Sequence, residues 1–188
     1  MMPQFRLALF SAALALAACG SDSQFLIDAS PEATREVPLR VSSIEVREVV
    51  LPAYAEATDM LQENADGALR PVKGSIWADG SARGITAELS RALDLRTTAD
   101  VVAEPWPFDD PPQVRLEVRI ERIVARADGT FQLSGQLTGA SPDGVIRDFV
   151  RRFDVRVPME SSSPGAVAKA QGAAMGQLAD TIAATLRR

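Results

Sequence analysis

The chain has no histidine, and its 188 residues include a single cysteine, Cys19. The first absence excludes Ser-His-Asp and Cys-His nucleophilic catalysis, histidine-ligated metal centres and imidazole proton shuttles. The second excludes an internal disulfide, which needs two thiols. No Walker-type or dinucleotide-binding glycine loop occurs. The chain is acidic, with a formal charge of −5, and it lacks the clustered lysines and arginines with which nucleic-acid binding begins. No nucleic-acid partner, metal ligand set or catalytic residue is therefore expected, and the chain reads as a binding protein and not an enzyme. The enzymatic alternative is a hydrolase working through carboxylates alone. It would need a carboxylate pair in a cleft with one raised pKa, and the sequence offers no such pair.

What is present begins at the N-terminus. Met1 to Arg6 carries one positive charge, Leu7 to Leu16 is apolar apart from Ser11, and the small residues Ala17 and Ala18 precede Cys19. The apolar run is too short to cross a bilayer as a helix, which takes about 20 residues. A basic start, a short apolar centre and small terminal residues make a secretory signal peptide. Leu16-Ala17-Ala18-Cys19 resembles the lipobox of bacterial lipoproteins. That resemblance implies cleavage between Ala18 and Cys19, a diacylglycerol on the thiol and an acyl chain such as palmitate on the new amino group. This covalent lipid is the only cofactor expected. Gly20, where an Asp would favour retention on the inner membrane, points to the outer membrane with the domain facing the periplasm. Each buried methylene contributes about 0.8 kcal/mol, so two or more chains anchor stably where one holds marginally. Residues 1–18 are read as the signal peptide, 19–24 as the lipidated cysteine and tether, and 25–188 as one domain. About five extended tether residues span at most ~17 Å, which keeps that domain near the membrane.

Beyond the tether, Phe25 to Asp28 reads as a short strand and Leu39 to Leu51 as a long one, its apolar parity slipping at Ser42-Ser43 as at a bulge. Thr58 to Gln62 and Ala68 to Val72 read as a short edge hairpin around Asp66-Gly67. Ile85, Leu89, Ala92 and Leu93 fall on one helical face, predicting a helix from about Ser81 to Leu95. Val101 to Glu104 is a strand, followed by the proline-rich loop Pro105 to Pro112. Val114 to Glu121 alternates strictly between apolar and charged residues, the pattern of a strand with one wet face. Asp128-Gly129 and Ser141-Pro142-Asp143-Gly144 are turns that make this strand the first of an antiparallel meander. Ser163 as N-cap and Pro164 as first helical residue open a last helix, with Val167, Ala170, Ala174, Leu178 and Ile182 as its apolar stripe. The expected fold is α+β: a mostly antiparallel or mixed sheet with two main helices packed on one face.

This order, read with the lipobox, resembles the ABC-type transport auxiliary lipoproteins, the PqiC- or YmbA-like family. The residues that carry the resemblance are Phe25-Leu26, Val46 to Tyr54 with its Leu-Pro-x-Tyr ending, Trp77-Ala78, the meander and the Ala-rich last helix. The resemblance covers nearly the whole mature chain, and its weight lies in order and spacing together. It implies a partner set: a periplasmic MCE-domain protein forming a lipid conduit, with an inner-membrane ABC permease and ATPase. The lipoprotein would dock the conduit at the outer membrane, support membrane integrity and self-associate, as in a ring. The alternatives are an accessory of another envelope assembly machine and a structural lipoprotein without transport.

Aromatic residues make up only 5% of the chain, and aromatics dominate binding hot spots. Tyr54, Trp106 and Phe108 are therefore the candidate partner contacts; for the last two, simple loop packing stands as the alternative. Trp77 is read as packing the first helix onto the sheet. Ala168, Gly172 and Gly176 recur every four residues, as in membrane helix pairs, but Lys169, Gln171, Gln177 and Asp180 make the segment amphipathic, and we read it as packing on its own sheet. Asp109-Asp110 lacks calcium-loop spacing, and Glu117 and Glu121 lie between arginines on a polar strand face; both pairs are read as solvated charges. Arg147 and Arg151 share parity with Phe149 and Phe153, marking either the point where that face leaves the core or a partner contact.

Overall fold

The computed structural model describes residues 21–27, 36–79 and 82–187. Alternation alone builds its backbone. The strand β6 (Val114–Ala125) buries Val114, Leu116, Val118 and Ile120 and exposes Arg115, Glu117, Arg119 and Glu121. It pairs antiparallel with β7 (Thr130–Ala140), which pairs antiparallel with β8 (Phe149–Pro158). The Asp128-Gly129 turn is closed by Gly129 N–H donating to the Arg126 carbonyl at 3.2 Å. The Ser141–Gly144 turn closes in the same way at 3.0 Å. The meander is thus as expected, with one extension. The β6–β7 register shifts between Ile120 and Arg122, so Glu121 bulges and the buried parity resumes at Ile123.

The other edge of β6 forks. Its first half pairs in parallel with β2 (Ser43–Val46), which pairs in parallel with β5 (Asp100–Ala103). Its last residue, Ala125, pairs with Gln62 of β3 (Asp59–Glu63). The hairpin partner of β3 is β4 (Leu69–Trp77), and β4 carries β1 (Ser23–Phe25) in parallel on its far side. The eight strands form one mixed sheet. The predicted edge hairpin is therefore interior, flanked by β1 and β6. The predicted Leu39–Leu51 strand is only four residues of ladder, continued by a single bridge from Val50 to Arg119. Its buried apolar residues are Val41, then Ile44 and Val46, then Val49 and Leu51. The parity slips at Ser42-Ser43 as expected and again after Val46, which is why the ladder cannot run on.

Two helices cover one face: α1 (Ala82–Asp94) against β2 and β5, and α2 (Pro164–Leu186) against β7 and β8 and against α1. Ser163 caps α2, its Oγ accepting from Ala166 N–H at 3.4 Å, with Pro164 in the first turn. The predicted stripe of α2 is buried throughout, and Leu89, Leu93, Leu116, Leu133, Leu178 and Ile182 meet in one core. Gly84 opens α1 for a steric reason: a Cβ there would meet the Asp79 carbonyl oxygen at 2.7 Å.

Candidate functional site

Ala18 and Cys19 lie outside the described residues. The chain enters through β1, with Phe25 opposite Trp77, and the next residue, Leu26, is 71% exposed.

The most prominent candidate contact is the loop between β5 and β6. Trp106 and Phe108 stack edge to face, with ring centroids 5.2 Å apart and planes at 70°. Trp106 is half-buried, and its Nε1–H donates to the Asp110 carbonyl at 2.7 Å. Pro112 is buried at the loop's end. The indole thus braces a short span whose outermost apolar group, Phe108, remains 61% exposed. An exposed aromatic held by its neighbours offers contact area at little further entropic cost. Asp109 and Asp110 flank it on an exposed surface. Just upstream, Glu104 is held below the usual carboxylate range, chiefly by the Glu48 N–H it accepts at 3.1 Å, and also by Arg47 at 3.0 Å.

Tyr54 is placed elsewhere. It belongs to a single 3-10 turn, Ala53–Ala55, and its half-buried ring packs on the core. Its Oη accepts the Ile123 N–H at 3.0 Å. That amide lies on β6 between the part paired through Val50 and the part paired with β3, so Tyr54 fills the fork where no strand reaches. With Trp77, Ile85, Ile123, Phe131 and Val167 it surrounds a cavity of about 30 Å³, room for one water. Trp77, partly buried against the core, lines that cavity beside Ile85 of α1 and Val167 of α2. Trp106 and Phe108 do not line this cavity, so the three predicted contact residues form two separate places.

The carboxylates stay dispersed. Glu121 pairs with Arg152 at 3.3 Å and Arg115 with Glu45 at 3.0 Å across the charged sheet face. Among the described residues, no group of three or more His, Cys, Asp or Glu is placed to hold a metal ion. No described helix is long and apolar enough to cross a membrane. Ala168, Gly172 and Gly176 are buried in α2, and a Cβ at Gly176 would meet the Arg96 guanidinium at 2.8 Å. Arg96, its side chain only 6% exposed, pairs with Asp180 at 3.0 Å and donates to the Ala92 carbonyl. Gly176 of the small-residue stripe therefore leaves room for an arginine that joins the two helices, a role with no signal in local periodicity.

The comparisons agree with this architecture. A family model described as the ABC-type transport auxiliary lipoprotein component matches residues 25–183. No curated protein matches the chain. Among solved structures, an uncharacterised protein is 16% identical, covering 88% of this chain and 98% of its own, with a TM-score of 0.66. A Xanthomonas campestris protein of a family of unknown function, DUF330, is 17% identical, covering 88% and 93%, with a TM-score of 0.62. At these identities the two structures show the shared fold.

Proposed function

The chain belongs to the ABC-type transport auxiliary lipoprotein family, and from that membership we propose that it is the outer-membrane docking component of an MCE-type lipid transport system. Cys19 carries the lipid anchor. The folded domain holds the end of a periplasmic MCE-domain conduit whose inner-membrane partners are an ABC permease and its ATPase, and it supports membrane integrity by keeping that path closed to water. Lipid in transit needs such a path, because each exposed methylene costs about 0.8 kcal/mol. The job is binding, and it asks for no acid, base or nucleophile.

The observation that carries the reading is the braced aromatic loop. Phe108 is the most exposed aromatic that the described residues present, and Trp106 fixes its direction. A pull-down of tagged protein from envelope membranes after brief crosslinking tests it, with partners identified by mass spectrometry. An MCE-domain protein should lead the list, fall at least about tenfold with Phe108→Asp, as for a hot-spot residue, and vanish with Cys19→Ala. Recovery of another assembly machine, or of no partner above background, would remove the transport reading. Full recovery with Phe108→Asp would remove the loop from it.

A further inference from the structure

Several arginines of this acidic chain are neutralised in place, among them Arg47 by Glu104, Arg96 by Asp180, Arg115 by Glu45 and Arg152 by Glu121, at 3.0–3.3 Å. Of the described arginines that form no ion pair, three converge on one place. Arg40, Arg147 and Arg151 are exposed around one groove of about 450 Å³ where the start of β8 meets the end of α2. Among the described residues Arg40 and Arg147 make no ion pair. Arg151 donates only to the adjacent Val150 carbonyl, at 2.9 Å, and lies 6.0 Å over the Phe149 ring.

The groove is graded. Its charged groups stand at the mouth. Ile146 and Phe149 are half-buried below them, Leu186 is buried, and Val145, 40% exposed, extends the apolar lining outward. The rim is built and not loose. Ser141, buried, donates its N–H to the Asp148 carboxylate at 2.9 Å and its hydroxyl to the Gln113 carbonyl at 2.8 Å, and accepts the Val145 N–H at 3.1 Å. Two features oppose an anion: the Asp148 carboxylate, and the negative end of the α2 dipole, worth about half a charge. Three full positive charges outweigh them.

We propose that this groove binds one molecule of an anionic amphiphile, a phosphate headgroup held by the guanidinium forks of Arg40, Arg147 and Arg151, with the adjoining alkyl segment on Phe149 and Val145. Planar guanidinium groups match phosphate oxygens in pairs. Polar mouth and apolar floor match an amphiphile better than a free ion, and the volume suits one small ligand, not a bilayer surface. The site lies about 22 Å along α2 from the Tyr54–Trp77 corner, fifteen residues from Gln171 to Leu186 at 1.5 Å each. It stands apart from the docking reading and needs only its own chemistry.

Native mass spectrometry of the mature lipidated protein, released from non-ionic detergent, tests this with three probes: lysophosphatidylglycerol, lysophosphatidylcholine and glycerol phosphate. The first should form a one-to-one adduct at least tenfold tighter than the other two. The double variant Arg147→Gln/Arg151→Gln should lose that preference, and Val145→Asp should weaken the adduct, both with an unchanged melting temperature because the side chains are exposed. Equal binding of lysophosphatidylcholine, equal binding of glycerol phosphate, an undiminished adduct in the double variant, or no adduct at all would each overturn the proposal. The crosslinking result on Phe108 bears on none of these outcomes.

Discussion

The two halves of the sheet are held by different means. In the meander the backbone satisfies itself: β7 pairs with β8 over ten consecutive positions, and with β6 over as many on either side of one bulge. In the forked half, strands are three to nine residues long, and distant side chains take over the amides that the ladders leave. Ile123 N–H goes to Tyr54 Oη, Val49 N–H to Thr86 Oγ1 of α1 at 2.9 Å, Leu39 N–H to Thr98 Oγ1 and Ser42 N–H to Gln113 Oε1. A buried amide must find some partner. Where a second strand supplies it, alternation is enough to specify the structure; where a side chain some forty to seventy residues away supplies it, as at Val49 or Ile123, only the folded chain brings the two together.

The largest effect should come from breaking the self-sufficient half at its tightest point. A Cβ on Gly135 would fall on the Arg119 carbonyl oxygen, a backbone atom in a paired strand that cannot swing aside. Gly135→Ala should therefore cost about 3 kcal/mol or more, the upper range for overpacking, read as a lowered midpoint in urea unfolding of the mature chain. An unchanged midpoint would mean that the β6–β7 ladder gives way more easily than its continuous pairing implies.

Side-chain substitution sharpens the contrast in the forked half. Tyr54→Phe keeps the ring and removes the acceptor for Ile123 N–H; Thr86→Val keeps the shape and removes the acceptor for Val49 N–H together with the hydroxyl's own bond to the Ala82 carbonyl at 2.7 Å. Each leaves a buried donor unpaired, a loss of about 1–3 kcal/mol. Amide hydrogen exchange should show faster opening at Ile123 and Val49, with β7 and β8 unchanged. Equal acceleration across β7 and β8 would show that the two halves open as one unit and that the comparison is only geometric.

The same difference explains what the sequence disclosed. Val114 to Glu121, Asp128-Gly129, Ser141 to Gly144 and the stripe from Val167 to Ile182 are local patterns with local consequences, and each stands where its pattern placed it. The bulge at Glu121 did not show, because a parity change after it reads as the end of a strand, and so β6 was expected four residues too short. The fork left only a trace, the slip at Ser42-Ser43. The need for glycine at position 84 leaves no local pattern, since it comes from Asp79, whose carbonyl oxygen a Cβ there would meet at 2.7 Å. At the candidate site, Trp106 and Phe108 were legible as aromatics among prolines. The role of Tyr54 in the fork was not, since its partner, Ile123, is 69 residues away.

The smallest effect is electrostatic and separates the halves by pH. In the forked half, Glu104 lies below its ordinary value of 4.5, chiefly through the Glu48 N–H and also through Arg47. In the meander, Asp128 lies below its ordinary value of 3.8 through the Thr130 hydroxyl and N–H at 2.6 and 3.0 Å. A carboxyl with a depressed folded pKa adds stability that is complete above its unfolded value and is lost as pH falls through its folded value. Both contributions are thus full at neutral pH and disappear on the acid side, that of Glu104 beginning to fall below about pH 4.5 and that of Asp128 below about 3.8. Glu104→Gln should flatten the upper part of the acid limb in a plot of stability against pH, and Asp128→Asn the lower part. Both groups are exposed, so each change is small, within the range of surface charge pairs. Identical acid limbs in wild type and both variants would leave acid unfolding to other carboxylates and would remove charge from the list of differences between the two halves.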